Sequence, residues 1–153
     1  MEEPLFILHW VYKTISMTGK YVVSIEDNSS DLLLMKRIFD KEIKDCDLQH
    51  IGDGENAIEI LETEDYKLNP PSLILLDIKL PKKNGLEVLQ FIRSVKIYDN
   101  VPVVILSSSD IPDEIHKAYK LGVNSFVEKP KNYPEFRRQL PAIVNFWLKF
   151  NIS

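Results

Sequence analysis

Five polar residues stand at the ends of short, mostly apolar runs. Glu26 and Asp27 follow YVVSI, Asp77 follows LILL, Ser107 follows VVIL, and Lys129 closes SFVEK before Pro130. If they meet, they form a coherent chemical set of three carboxylates, a hydroxyl and an ammonium. Three acids at close quarters repel one another, so one must be protonated or a cation must neutralise them. Oxygen donors with no His or Cys among them favour Mg²⁺ over zinc, with several waters kept in an octahedral shell; Mn²⁺ is the other ion such a set accepts. An aspartate beside the ion can act as a nucleophile towards phosphorus and become an acyl phosphate. The phosphoryl oxygens then need positive and hydrogen-bonding partners, which the ion, Lys129 and the Ser107 hydroxyl supply. Taken singly, a strand-end acid is a solvated turn residue and a Lys-Pro marks a loop. The reading rests on the whole set in this order.

These residues meet only if the runs before them lie side by side. The predicted strands are Tyr21–Ile25, Leu48–Ile51, Leu73–Leu76, Val103–Leu106 and Ser125–Val127. LILL and VVIL carry no polar residue and read as strands buried on both faces. Ser30 or Asp31 is placed to cap a first helix, with Leu32, Met35, Ile38, Phe39 and Ile43 on one face. Further helices are predicted over Glu55–Thr63, Leu86–Val95, Asp113–Leu121 and Pro134–Phe150. Pro112 opens the fourth, Gly122 stops it, and Pro141 should bend the fifth or reset its start. Five strands alternating with five helices predict a parallel α/β sheet with right-handed crossovers. In such a sheet ligands bind outside the carboxyl ends of the strands, where the five polar residues stand.

The composition removes several alternatives. The chain of 153 residues holds 19 Lys plus Arg and 23 Asp plus Glu, a net charge of −4, which gives no electrostatic basis for a nucleic-acid partner. The lone Cys46 excludes an intrachain disulfide and fits a reducing, cytoplasmic setting; it reads as a small half-buried residue rather than a catalytic thiol. Residues 1–18 are set apart as an extension, and the domain is expected over 19–153. Glu2 and Glu3 do not open a secretory signal. The apolar stretch Leu5 to Tyr12 is less than half the ~20 residues of a membrane span. With Leu5, Phe6, Trp10 and Val11 it reads instead as an arm covering an apolar surface, its own or a partner's.

From Lys20 to Phe150 the sequence resembles a response-regulator receiver domain of the chemotaxis-regulator type. The likeness is carried by Glu26-Asp27, LILLDIKLPKKNG around Asp77, VVILSSS around Ser107 and SFVEKP ending in Lys129-Pro130. The spacings agree as well: 77 − 27 = 50, 107 − 77 = 30 and 129 − 107 = 22. The resemblance implies a flavodoxin-like, doubly wound five-stranded sheet of order 2-1-3-4-5 with five helices. It implies Asp77 as phosphoacceptor, with Glu26 and Asp27 in a Mg²⁺ site completed by the backbone carbonyl of Lys79. Ser107 and Lys129 then contact the phosphoryl group, Phe126 is the aromatic switch, and the Lys129–Pro130 bond is expected cis. The implied partner is a sensor histidine kinase or a phosphotransfer protein. Asp53-Gly54-Glu55, LPKKNGLEVL, AYKLG and Phe146-Trp147-Leu148 further resemble stand-alone receivers that partner phytochrome-type kinases.

Departures are visible too. Ser107 stands for the commoner Thr, Phe126 for Tyr, and Asn84 for an Asp before Gly85, at a turn suited to positive φ. Lys79 places an ammonium within reach of phosphoryl oxygens. Two rival readings are a haloacid-dehalogenase-like phosphatase and a pseudo-receiver that never gains phosphate. The first needs an acid two residues after the nucleophile, where Lys79 stands, and the second has no use for the complete set. No enzymatic activity beyond phosphoryl acceptance and its own dephosphorylation is expected. No output domain or helix-turn-helix is expected beside the α/β unit, so a surface is expected to carry the message. Phe136, Leu140, Ile143 and Trp147 fill one stripe of the last helix, and Phe146 and Phe150 lie on a neighbouring one. With Tyr119 and Tyr133 they predict a homodimer through the fourth helix, fifth strand and fifth helix.

Overall fold

The structure is a computed structural model and describes residues 19–152. The N-terminal arm therefore lies outside the described residues. The strands are β1 (Lys20–Ile25), β2 (Cys46–Ile51), β3 (Leu73–Leu76), β4 (Val103–Ser107) and β5 (Ser125–Glu128). They form one sheet of order β2-β1-β3-β4-β5, every pair parallel. The long helices are α1 (Ser29–Glu42), α2 (Gly54–Leu61), α3 (Gly85–Ser94), α4 (Pro112–Lys120) and α5 (Tyr133–Asn145). This is the flavodoxin-like arrangement expected from the sequence.

Alternation along the central strands builds two apolar layers. Val22, Leu73, Leu75, Val104 and Leu106 point to one side, where Met35, Ile38 and Phe39 of α1 meet Phe136, Leu140 and Val144 of α5. Val23, Ile25, Ile74, Leu76 and Ile105 point to the other, against Ala57 and Leu61 of α2, Val88, Leu89 and Ile92 of α3, and Ala118 of α4. A strand with both faces covered needs apolar residues at every position, which is why LILL and VVIL are continuous runs. The same burial on both faces fixes the register, and register decides which residues reach the carboxyl edge together.

Several local features differ from the sequence expectation. A one-turn helix, Glu64–Leu68, follows α2. The α1 cap is Asn28, whose side chain accepts from the Asp31 amide at 3.1 Å, rather than Ser30 or Asp31. Asn84 does not take positive φ: at φ −74 it caps α3 through a reciprocal box with Glu87. The left-handed position in that loop is Lys82, at φ 67. The last helix runs unbroken through Pro141 and ends as α-helix at Asn145. A π-helical turn, Phe146–Phe150, follows, with the Asn151 amide bonded to the Phe146 carbonyl at 2.8 Å.

Candidate functional site

Each site residue is placed by the ladder that ends just before it. The Glu26 amide donates to the Ile51 carbonyl, the Asp77 amide to Ile25, and the Lys129 amide to Ser107. The ends of β2, β1 and β3 are thereby stitched together, as are those of β4 and β5, and the β3–β4 pairing joins the two groups into one edge. The structure brings Glu26, Asp27 and Asp77 together, with one carboxylate oxygen from each lying within 4.8 Å of the others. Glu26 and Asp77 are buried and Asp27 is exposed. Lys129 reaches into this cluster. Its Nζ donates to Glu26 Oε2 at 2.8 Å, to Asp31 Oδ2 at 2.9 Å and to Asp77 Oδ2 at 3.2 Å.

The electrostatics follow from burial. Desolvation pushes the Glu26 carboxyl up to about 7 and the nearby Asp77 charge adds to the rise, against the pull of Lys129 and of the Asn28 amide. Burial alone would lower the Lys129 ammonium. Its bonds to Asp31 and Glu26 and the Asp77 charge outweigh that, and it is held above the ordinary lysine value. At neutral pH the lysine is therefore a fixed cation shared among acids.

The loops complete the edge. The Lys79 amide donates to Asp77 Oδ1 at 3.2 Å, which orients the carboxylate, while the Lys79 side chain is exposed. A Cβ on Gly85 would sit 2.2 Å from the Asp77 carbonyl oxygen, so only glycine lets α3 start this close to the site. Ser107 is fully buried, and its Oγ accepts the Ser109 amide at 3.1 Å. Phe126 is half-buried, packed on the α2–α3–α4 side of the core. Its amide donates to the Tyr119 hydroxyl at 3.2 Å, a direct link between β5 and α4.

One expectation is corrected. No peptide bond among the described residues is cis, so Lys129–Pro130 is trans. The trans form is the intrinsically favoured one even before proline. Lys129 reaches the acids through its long side chain while its backbone stays tied to Ser107, so no isomer change is needed to aim it.

Three residues belong to the site that the sequence does not mark as site residues, although Asp31 reads there as a helix cap. Asp31 holds Lys129 from the first turn of α1, where Asn28 caps in its stead. His50 on β2 donates from Nε2 to the Glu26 carbonyl at 2.6 Å; burial holds its imidazole below the usual histidine range, which fits a neutral ring. Ser109 bridges the Ser107 hydroxyl to α4, its own hydroxyl donating to Glu114 Oε2 at 2.6 Å. No spacing rule finds Asp31 or His50, because each meets its partner only through the fold.

The predicted interface residues divide. Tyr133 lies under the Arg37 guanidinium, 5.0 Å from the ring centre, and so packs on α1. Trp147 is half-buried against the α1–α5 core, and Phe146 meets it edge-on at 5.0 Å. Tyr119, Phe146 and Phe150 are exposed.

The cluster suits a hard divalent ion, since its donors are all carboxylate oxygens and the exposed Asp27 leaves one side open to water. The fold and this edge define a doubly wound α/β protein with a lysine-bridged acidic site at a strand-end crevice. The chain belongs to the response regulator receiver domain family, which matches residues 22–140. Over 132 residues it is 33% identical to the response regulator Rcp1 of Synechocystis sp., covering 85% of this chain and 90% of Rcp1. The structure of the Mn²⁺-bound form of Rcp1 matches with a TM-score of 0.78 at 32% identity, over 88% of this chain and 98% of that one. The phosphorylated cyanobacterial phytochrome response regulator RcpA matches with a TM-score of 0.79 at 33% identity, over 88% and 98% of the two chains. Membership of this family sets the chain in two-component signalling, opposite a histidine kinase or phosphotransfer partner, and answers the phosphatase alternative. Among the described residues no helix is long and apolar enough to cross a membrane.

Proposed function

We propose that Asp77 is the phosphoacceptor of this receiver. The observation that carries the reading is the Lys129 ammonium, held 3.2 Å from Asp77 Oδ2 at an edge otherwise built of acids. An Asp77 carboxylate oxygen attacks the phosphorus of a donor phosphohistidine; the P–O bond forms as the P–N bond breaks. Lys129 and the Ser107 hydroxyl receive the transferred oxygens. Glu26, Asp27, Asp77 and the Lys79 carbonyl would hold Mg²⁺ or Mn²⁺, which supplies charge neutralisation for the incoming phosphoryl group. The Mn²⁺-bound Rcp1 and phosphorylated RcpA support both halves of this reading by analogy.

Ser107 then follows the phosphoryl group, and Phe126 turns into the space it leaves, which alters the face made by α4, β5 and α5. The bond from the Phe126 amide to Tyr119 gives that change a route to α4. The chain acts as a cytoplasmic signalling partner rather than an enzyme on separate substrates. The similarity to RcpA favours a phytochrome-type kinase as its donor. The exposed Tyr119, Phe146 and Phe150 favour a homodimer through that same face, which sedimentation with and without beryllofluoride would test by a shift to the dimer mass.

Incubation with acetyl phosphate and Mg²⁺ should add one phosphoryl mass to the chain, absent in Asp77→Asn. A phosphoryl group retained in Asp77→Asn would overturn the assignment. No uptake by the folded wild type would make the chain a pseudo-receiver.

A further inference from the structure

The Lys129 ammonium has three hydrogens, and three carboxylates take them: Glu26, Asp31 and Asp77. Two of those partners are altered by the chemistry proposed above, because Asp77 becomes an acyl phosphate and Glu26 lies in the metal cluster. Asp31 is altered by neither. It is not among the clustered oxygens, and its backbone is fixed in the first turn of α1 by the Asn28 cap. Its bond to Nζ, at 2.9 Å, is shorter than the 3.2 Å bond to Asp77. The pair is sheltered, with 11% of the lysine side chain and 21% of the aspartate side chain exposed.

We propose that Asp31 is a positioning residue that competes with the phosphoryl group for Lys129, and so sets how much of the lysine's charge the modified Asp77 receives. The inference rests on Asp77 being the phosphoacceptor. A phosphoryl group arriving beside Asp77 must draw a hydrogen of the ammonium, and the carboxylate that does not release its own is Asp31. An acid four residues after the Glu26-Asp27 pair thus acts as a brake on the activated state, through the lysine rather than through the phosphoryl group.

The test is a beryllofluoride titration at saturating Mg²⁺, using the full chain and its Asp31→Asn, Asp31→Glu, Lys129→Ala and Asp31→Asn/Lys129→Ala variants. Asp31→Asn keeps the shape and removes the charge, so beryllofluoride should bind about two- to fivefold more tightly, the size of a part-sheltered ion pair. Asp31→Glu restores the charge and should return the affinity to the wild-type value. In the Lys129→Ala background the effect of Asp31→Asn should largely disappear. Unchanged or weaker binding by Asp31→Asn would overturn the proposal. Equal tightening in both backgrounds would overturn it too, because Asp31 would then act by bare charge and not through Lys129. Failure of the wild type itself to bind beryllofluoride would instead remove the phosphoacceptor reading on which the proposal stands.

Discussion

Two cations hold the two ends of this sheet, and they are held differently. At the carboxyl edge Lys129 is bound by three carboxylates. At the amino edge, among the described residues, the hydrogen bonds of Arg93 all go to neutral oxygens, namely the carbonyls of Gly122 at 2.9 Å, Tyr98 at 2.9 Å and Val101 at 3.0 Å, and Asn124 Oδ1 at 2.8 Å, with the Asp99 charge nearby. Arg93 thereby ties the end of α3, the 3₁₀ turn Lys96–Tyr98, the entry to β4 and the α4–β5 loop into one corner. Its planar fork matches several fixed acceptors at once. Nothing in that corner changes charge during phosphoryl transfer, so its bonds have no reason to be exchanged. Lys129 is a compact, rotatable donor among groups that do change charge. The lesson is that carbonyl partners build an anchor, whereas carboxylate partners build a contact that can be reassigned.

Breaking the anchor should give the largest stability change. Arg93→Ala leaves several main-chain carbonyls short of a donor and should cost about 3 kcal/mol in urea denaturation. Phosphorylation by acetyl phosphate should persist wherever the variant is folded. Gly85→Ala attacks the other edge: the added methyl overlaps the Asp77 carbonyl and should cost about 2 kcal/mol. Unlike Arg93→Ala, it should slow phosphorylation of the folded protein, and equal phosphorylation rates in the two variants would blur the distinction between the edges.

Smaller effects sharpen the anchor side. Burial pushes the Tyr98 phenol up to about 12, from about 10 when unfolded. A raised folded value means that its contribution is complete below pH 10 and is lost as pH rises through 12. Tyr98→Phe removes the hydroxyl that donates to the Leu61 carbonyl, should cost about 1 kcal/mol at neutral pH, and should make the alkaline fall shallower. The smallest change is at Lys82. Glycine there relieves the positive φ and should raise stability by roughly 0.5 kcal/mol in the same denaturation assay, since the exposed pair with Asp53 that it gives up is worth little.

Much of the carboxyl edge was legible because parallel strands buried on both faces are apolar throughout, so the first polar residue marks the edge. That rule places Asp77 after LILL and Ser107 after VVIL; Ser24 and Glu128 come before Glu26 and Lys129, which the resemblance rather than the rule picks out. It is silent on Asp31, which lies 98 positions from Lys129 and meets it only when α1 turns back over the edge. Asn28, Ser29, Ser30 and Asp31 are all residues that can cap a helix, so composition alone did not choose Asn28. Arg93 is illegible for a similar reason: three of its four partners are backbone carbonyls, which leave no trace in residue type. The one-turn helix Glu64–Leu68 is too short to show a period. The trans Lys129–Pro130 bond shows that a family expectation about one peptide is not carried by the residues on either side of it.

The carboxyl edge switches while the Arg93 corner stays fixed. Backbone amide shifts recorded before and after addition of Mg²⁺ and beryllofluoride test it most directly. Large shifts are expected at Asp77, Ser107 and Lys129, continuing through Phe126 to Tyr119 and α5, with Arg93, Val101 and Asn124 unmoved. Shifts confined to the loops around Asp77, or equally large at Arg93 and Asn124, would contradict it.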